Sequence, residues 1–313
     1  MLPNLFYHPK MSIPLDLLHN TYSKSPAKPG IFVQQLLQIC PELANNIQQF
    51  SPFNKEQFYQ VHAKSWVNEI WAQKGGITWS DIEWSPEWLQ SLQWTNSSLY
   101  YAIRSSILTG TASIAPVSGM HHASYHKGSG FCTFAGQVLA SVKIWQEFEK
   151  VGCYLDLDQH FGNSIEDCRP YVDGLNNAIP EWANWNPIGY NKQYVYNLES
   201  FLLKLEQKIY NNECHYLVWC HGADSHKSDD LGGRVDTNQW IQCSKIFFEW
   251  WSDLKRKIPL TTCLFGGYRK NDYQSVINLH LADHIELLNK TGSNIMYQLL
   301  DQCDKIILNI DKN

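Results

Sequence analysis

The sequence predicts an α/β fold: one domain, 1–313, in which a central parallel β-sheet is flanked by helices on both faces. Three observations carry this. Helical stretches with one apolar face alternate with short apolar runs, as in sheets covered on both sides. Those runs end abruptly in acids, histidine or glycine. No internal repeat and no linker rich in Gly, Ser or Pro divides the chain.

The first ~95 residues mix short helical stretches with loops rich in Pro, Asn and Trp, and their periodicity is weak. Two tryptophan clusters, Trp79, Trp84, Trp88, Trp94 and Trp182, Trp185, read as loop packing, with an apolar contact patch as the minor alternative. From Ser97 the pattern sharpens. Residues 97–109 suit a helix ending at Gly110. In 134–149, Val138, Leu139, Val142, Trp145 and Phe148 share a helical face. VGCYLDLD (151–158) then reads as a buried strand running into acids.

The unit repeats. An amphipathic helix over 196–211 carries Leu198, Phe201, Leu202, Leu205 and Ile209, and the strand HYLVWC (215–220) leads into HGAD. Asp236 or Thr237 caps a helix bearing Trp240, Ile241, Phe247, Trp250 and Trp251. PLTTCLF (259–265) is the next strand, running into Gly266-Gly267-Tyr268, and a last helix covers 273–288.

Composition narrows the function. Of 313 residues, 44% are hydrophobic and 18% charged, enough to bury a sizeable core. Twenty-five Lys and Arg against thirty Asp and Glu leave a net charge of −5, which argues against direct nucleic-acid binding. No stretch approaches a membrane span. The start, MLPNLFYHPKMSIP, does not read as a secretory signal. Nine cysteines without a CxxC pair favour neither a disulfide framework nor a cysteine zinc site, and Cys153 and Cys220 read as small buried hydrophobes. Without a basic import run the default location is the cytoplasm, though delivery into another cell would use signals of other kinds. Oligomeric state is not legible.

In open parallel sheets ligands bind beyond the carboxyl ends of the strands, and the chemistry-bearing residues gather there. The first strand end supplies Asp156, Asp158 and His160, which share a direction if the strand continues. The second supplies Asp224 and the third Tyr268, while a loop before the 134–149 helix adds His121-His122. Two carboxylates and an imidazole can hold a divalent metal with a position left open, and free histidines beside it can move protons. Taken singly, each feature is more often a helix cap, a loop residue or a core aromatic. Their occurrence in order at successive strand ends is not explained that way.

GMHHASYHKGSGFCTFAG, YLDLDQHFGN, CHGADSHKSDDLGG and FGGYRK, in that order, resemble four blocks of the zinc-dependent histone deacetylase superfamily, closest in look to its class IV, histone-deacetylase-11-like branch. The resemblance implies the arginase/deacetylase fold and a zinc site of Asp158, His160 and Asp224, with Fe(II) as an alternative metal. It implies that His121 and His122 handle protons, that Asp156 holds His121, and that Asn163 faces His122. Tyr268 would donate its hydroxyl to the scissile carbonyl oxygen. Gly130 and Phe131 would line a tunnel for an acyl-lysine stem, Phe161 would add apolar wall, and Asp229 would be a structural acid. A structural potassium ion would sit among backbone carbonyls around Asp156, Asp158 and His160. Phe134-Ala135-Gly136 departs from an Asn-Asp pair common in relatives.

The function implied is a zinc-dependent amidohydrolase removing an acetyl or long-chain fatty acyl group from lysine in a protein or peptide. Alternatives are a deacetylase of acetylpolyamines or other small amines, and an inactive binding module. Leu231 stands where eukaryotic polyamine deacetylases of the family carry a gatekeeper glutamate, which favours acyl-lysine. The carboxylate set of an arginase-type manganese hydrolase is not visible.

Overall fold

The computed structural model describes residues 1–18, 20–73, 76, 78, 80–292, 305–307 and 309–310. Six strands form one sheet: β1 (Asn4–Leu5), β2 (Ser113–Ile114), β3 (Gly152–Asp156), β4 (Asn184–Trp185), β5 (Tyr216–Cys220) and β6 (Leu260–Cys263). Their order is β1-β2-β6-β5-β3-β4, and every pairing is parallel. Helices in chain order are α1 (Lys28–Ile39), α2 (Lys55–Phe58), α3 (Lys64–Ala72), α4 (Pro86–Thr109), α5 (Gly136–Phe148), α6 (Ser164–Cys168), α7 (Leu175–Ala178), α8 (Lys192–Tyr210), α9 (Thr237–Asp253) and α10 (Tyr273–Thr291).

Strand alternation sends side chains to two helical layers. The Tyr154 and Tyr216 hydroxyls both reach Ser141 on α5. Trp219 points the other way, stacking on Phe247 of α9 and donating its indole N–H to Asp283 of α10. In β6, Thr261 pairs with Ser106 on α4, whereas Thr262 pairs with His284 on α10. The three central strands are wholly buried, and they are apolar apart from Asp156, Thr261 and Thr262.

Several boundaries differ from expectation. The helix expected from residue 97 begins at Pro86, where the Ser85 hydroxyl accepts the Trp88 N–H at 3.1 Å, and it ends at Gly110 as expected. Its buried side carries Ser91, Asn96, Ser97 and Ser98, which breaks the apolar period. Serine hydroxyls are satisfied locally there, Ser91 on the Trp88 carbonyl and Ser97 on the Trp94 carbonyl. Trp88 and Trp94 are therefore buried helix residues, not loop packing. Trp185 is a strand residue stacked on Phe201 at 4.4 Å, and Trp79 lies outside the described residues.

The helix expected from 134 starts at Gly136, and α8 starts four residues before 196. The Asp236 cap of α9 is present as a capping box with Gln239. β3 ends at Asp156, two residues short of the expected strand. The described cysteines are all buried and unpaired. No helix among the described residues is long and apolar enough to cross a membrane.

Candidate metal centre and active site

β3, β5 and β6 end side by side, so the loops leaving them meet above the middle of the sheet. From these loops Asp158, His160 and Asp224 bring one ligand atom each to within 4.8 Å of the others. His160 Nδ1 lies 3.2 Å from Asp158 Oδ1 and 3.1 Å from Asp224 Oδ2. His160 does not arrive by strand alternation. The chain turns after Asp156, and Asp158 Oδ1 accepts the His160 N–H at 2.9 Å, which holds the turn. Backbone N–H groups fix the carboxylates: Gly266 donates to Asp158 at 2.9 Å and Gln159 to Asp224 at 3.1 Å. A Cβ on Gly266 would come within 2.4 Å of Asp224 Oδ2, so only glycine lets this loop approach.

Asp158 and Asp224 are buried side by side. Burial and then the Asp158 charge push the Asp224 carboxyl up to about 8. Burial also opposes the Asp158 carboxylate, but His121 and a bond from His160 hold it well below the usual range. Hydrogen bonds to both carboxylates hold His160 up at about 10. Two buried carboxyl groups close on one imidazole nitrogen, and protons that a divalent cation would replace hold the donor set together. The set fits zinc or ferrous ion in donor type and leaves a coordination position free.

His121 and His122 differ in partner. His121 Nδ1 is 2.9 Å from Asp156 Oδ2, and its Nε2 is 3.7 Å from Asp158 Oδ2. Burial works against its charge, but the Asp158 and Asp156 carboxylates outweigh that and hold it up at about 9. His122 Nδ1 is 2.8 Å from Asn163 Oδ1, and the Asn163 amide donates to Asp167. Burial and then the His121 charge bring His122 down to about 4.

Tyr268 is nearly buried, its ring centroid 6.5 Å from that of His160 and 5.5 Å from that of Phe131. Asp229 accepts the Tyr268 N–H at 2.7 Å, which anchors the loop. Burial, and then Asp158, keep the phenol protonated, its pKa well above 10. Gly130 has φ +51°, and a Cβ there would meet His122 Cδ2 at 2.4 Å. Phe161 is 56% exposed and Leu231 38%, so both stand at the solvent rim instead of walling a buried slot. Asn186 donates to the Asp156 carbonyl at 2.8 Å and Arg234 to the Gln159 carbonyl at 3.1 Å, in the segment expected to surround potassium; each bond takes one of the oxygen's two lone pairs.

A histone deacetylase domain model matches residues 24–171. That match takes in a little under half of the chain. Histone deacetylase 8 of Xenopus tropicalis is 41% identical over 173 residues, which cover 48% of this chain and 44% of that protein. Histone deacetylase 19 of Arabidopsis thaliana is 26% identical over 176 residues, 48% of this chain and 33% of that one. The chain spans about half the length of the first relatives it matches, or less. The crystal structure of the HDA15 HD domain superposes with a TM-score of 0.68 at 16% identity, covering 98% of this chain and 95% of that one. The arginase/deacetylase fold expected from the sequence is therefore the fold observed.

Two residues beside the site escaped the sequence reading. Lys28, at the start of α1, is fully buried, and its Nζ donates to the carbonyls of Phe265 and Gly266, beside Tyr268. Burial lowers it to about 8, against the pull of Asp224 and Asp158. Buried His62 receives the Ala135 N–H on Nε2 at 2.9 Å, while its Nδ1 faces the Tyr125 carbonyl at 3.3 Å. It braces the segment leading from Gly130 and Phe131 into α5. A lysine inside a Pro-rich segment was the one visible signal for Lys28, and His62 had none.

Proposed function

We propose that this chain is a single catalytic unit, a metal-dependent amidohydrolase that removes an acyl group from the ε-amine of lysine in a protein or peptide. The observation that supports this most is the convergence of the Asp158, His160 and Asp224 donor set with neutral His122 and the protonated phenol of Tyr268. Asp158, His160 and Asp224 would hold a divalent ion, zinc with ferrous ion as the alternative, and that ion would supply Lewis acidity toward water and an amide carbonyl.

The chain's own groups supply the rest. His122, unprotonated at neutral pH, takes the proton from attacking water at Nε2, because Asn163 occupies Nδ1. Asp156 fixes the His121 ring and favours its charged form, so His121 steadies negative charge and returns a proton to the leaving amine. Tyr268 donates its hydroxyl to the carbonyl oxygen as that oxygen gains charge. Phe131, parallel to Tyr22 with centroids 6.1 Å apart, offers an aromatic flank for the lysine stem, and Gly130 offers its carbonyl to the amide N–H.

The class IV resemblance extends the reading to long-chain fatty acyl groups. Leu231 offers no charge to select a polyamine, which favours acyl-lysine over acetylpolyamine. A potassium ion at the expected site would share the Asp156 carbonyl with Asn186, through the oxygen's second lone pair. The test is a peptide panel from acetyl- to myristoyl-lysine, with acetylpolyamines alongside, using zinc-loaded wild type and Tyr268→Phe. Peptide turnover that drops about a hundredfold to a thousandfold in the variant supports the reading. Turnover of polyamines alone replaces it with the small-amine activity, and silence with zinc bound replaces it with a binding module.

A further inference from the structure

The sheet has a second end. Three crossover loops reach the amino ends of the central strands: Lys150 precedes β3, His215 precedes β5, and Arg256 and Lys257 precede β6. These four line one cavity of about 210 Å³ with Ile107, Asn212 and Cys214. Strands of four or five residues separate it from the candidate active site by roughly 15 Å.

Among the described residues, the charge at this end has no ion-pair partner. No carboxylate lines the cavity, and among the described residues Lys150, Arg256 and Lys257 form no ion pair. Glu213, next in sequence to Cys214, is committed to Lys208 at 2.6 Å and to the Asn211 amide at 3.2 Å. In a chain of net charge −5, clustered cations without counter-ions call for a ligand or for solvent. Two features go beyond a solvated surface. Arg256 donates to the Ile209 carbonyl and the Asn212 amide oxygen, which holds the guanidinium in place with N–H groups to spare. Val151 donates its N–H to His215 Nδ1 at 3.1 Å, which leaves the proton on Nε2 as a donor. Burial and then the charges of Lys150 and Arg256 hold the His215 imidazole below its usual pKa, so both cations act on the same ring.

We propose that this cavity binds a phosphate-bearing anion, with Arg256 as the fixed donor, Lys150 as the mobile cation and His215 as a neutral N–H donor. Arginine and imidazole donors converging without a carboxylate suit phosphate oxygens. The ligand is either a free oligophosphate or a phosphorylated lipid headgroup, since the chemistry is shared.

Titration calorimetry of the full chain with inorganic pyrophosphate tests this, alongside co-sedimentation with phosphatidylcholine vesicles containing about one part in ten of a phosphoinositide. Saturable binding that weakens about tenfold or more in both Arg256→Gln and Lys150→Gln, and persists in Tyr268→Phe, supports the site. Lys150→Gln covers the case in which loss of the Arg256 bond to α8 unfolds the protein. Pyrophosphate binding identifies a soluble ligand, and capture by phosphoinositide vesicles alone identifies a lipid. Failure of both probes overturns the proposal, as does binding that the two variants leave unchanged or Tyr268→Phe abolishes.

Discussion

The amide oxygen of Asn163 sits 2.8 Å from Nδ1 of His122, where its neighbour His121 has the carboxylate of Asp156 at 2.9 Å. Adjacent histidines thus have partners of different charge, and they sit on opposite sides of neutrality, His122 at about 4 and His121 at about 9.

Asn163→Asp gives His122 a charged partner. The carboxylate stabilises imidazolium, so the pKa rises and the neutral base appears only at higher pH. The acidic limb of kcat/KM is expected to move up by about one unit or more. An unmoved limb would show that His122 is not the group titrating there.

Metal binding should release protons. Without a cation, Asp224 at about 8 and His160 at about 10 both hold a proton at pH 7, and both must lose it to become ligands. Zinc uptake at pH 7 is expected to release about two protons, with affinity rising as pH approaches 8 and beyond. Calorimetry in buffers of different ionisation enthalpy counts them. Asp224→Ala should abolish both the binding and the zinc-induced rise in Tm.

His62 should make the fold acid-sensitive. Its pKa is about 4 when folded, chiefly through burial, against 6.5 unfolded, so the unfolded chain binds the extra proton between those values. Stability is unaffected above pH 6.5 and falls as pH drops through the window, by on the order of 3 kcal/mol at its foot. Urea titrations at pH 7 and pH 5 should show His62→Gln less sensitive than wild type across that step.

Lys28 works at the alkaline side. Burial lowers it to about 8, so between pH 8 and 10.5 the unfolded chain holds a proton that the folded one has lost, and stability gains with pH. Lys28→Met should lack that gain while losing turnover, because two carbonyls beside Tyr268 lose their donor. A stability-against-pH profile parallel to wild type would remove this role.

Much of the molecule was legible in the residues because its signals are local. Apolar runs ending in DLD, HGAD and GGY marked three buried parallel strands, and their carboxyl ends located Asp156, Asp158, Asp224 and Tyr268 near one another, while the resemblance brought in His121 and His122 from a separate loop. Capping at Asp236 and the stop at Gly110 were equally local. The first half of α4 escaped because serines and an asparagine face inward there and find partners on nearby backbone, a pattern that hydrophobic periodicity cannot register. Packing alone decided that His160 reaches Asp224 through a turn, that His62 braces the segment entering α5, and that Lys28 supports a loop 237 residues away. Such contacts join segments distant in sequence, so no periodicity or spacing along the chain encodes them. They exist only once burial brings the partners together and makes each polar group find one.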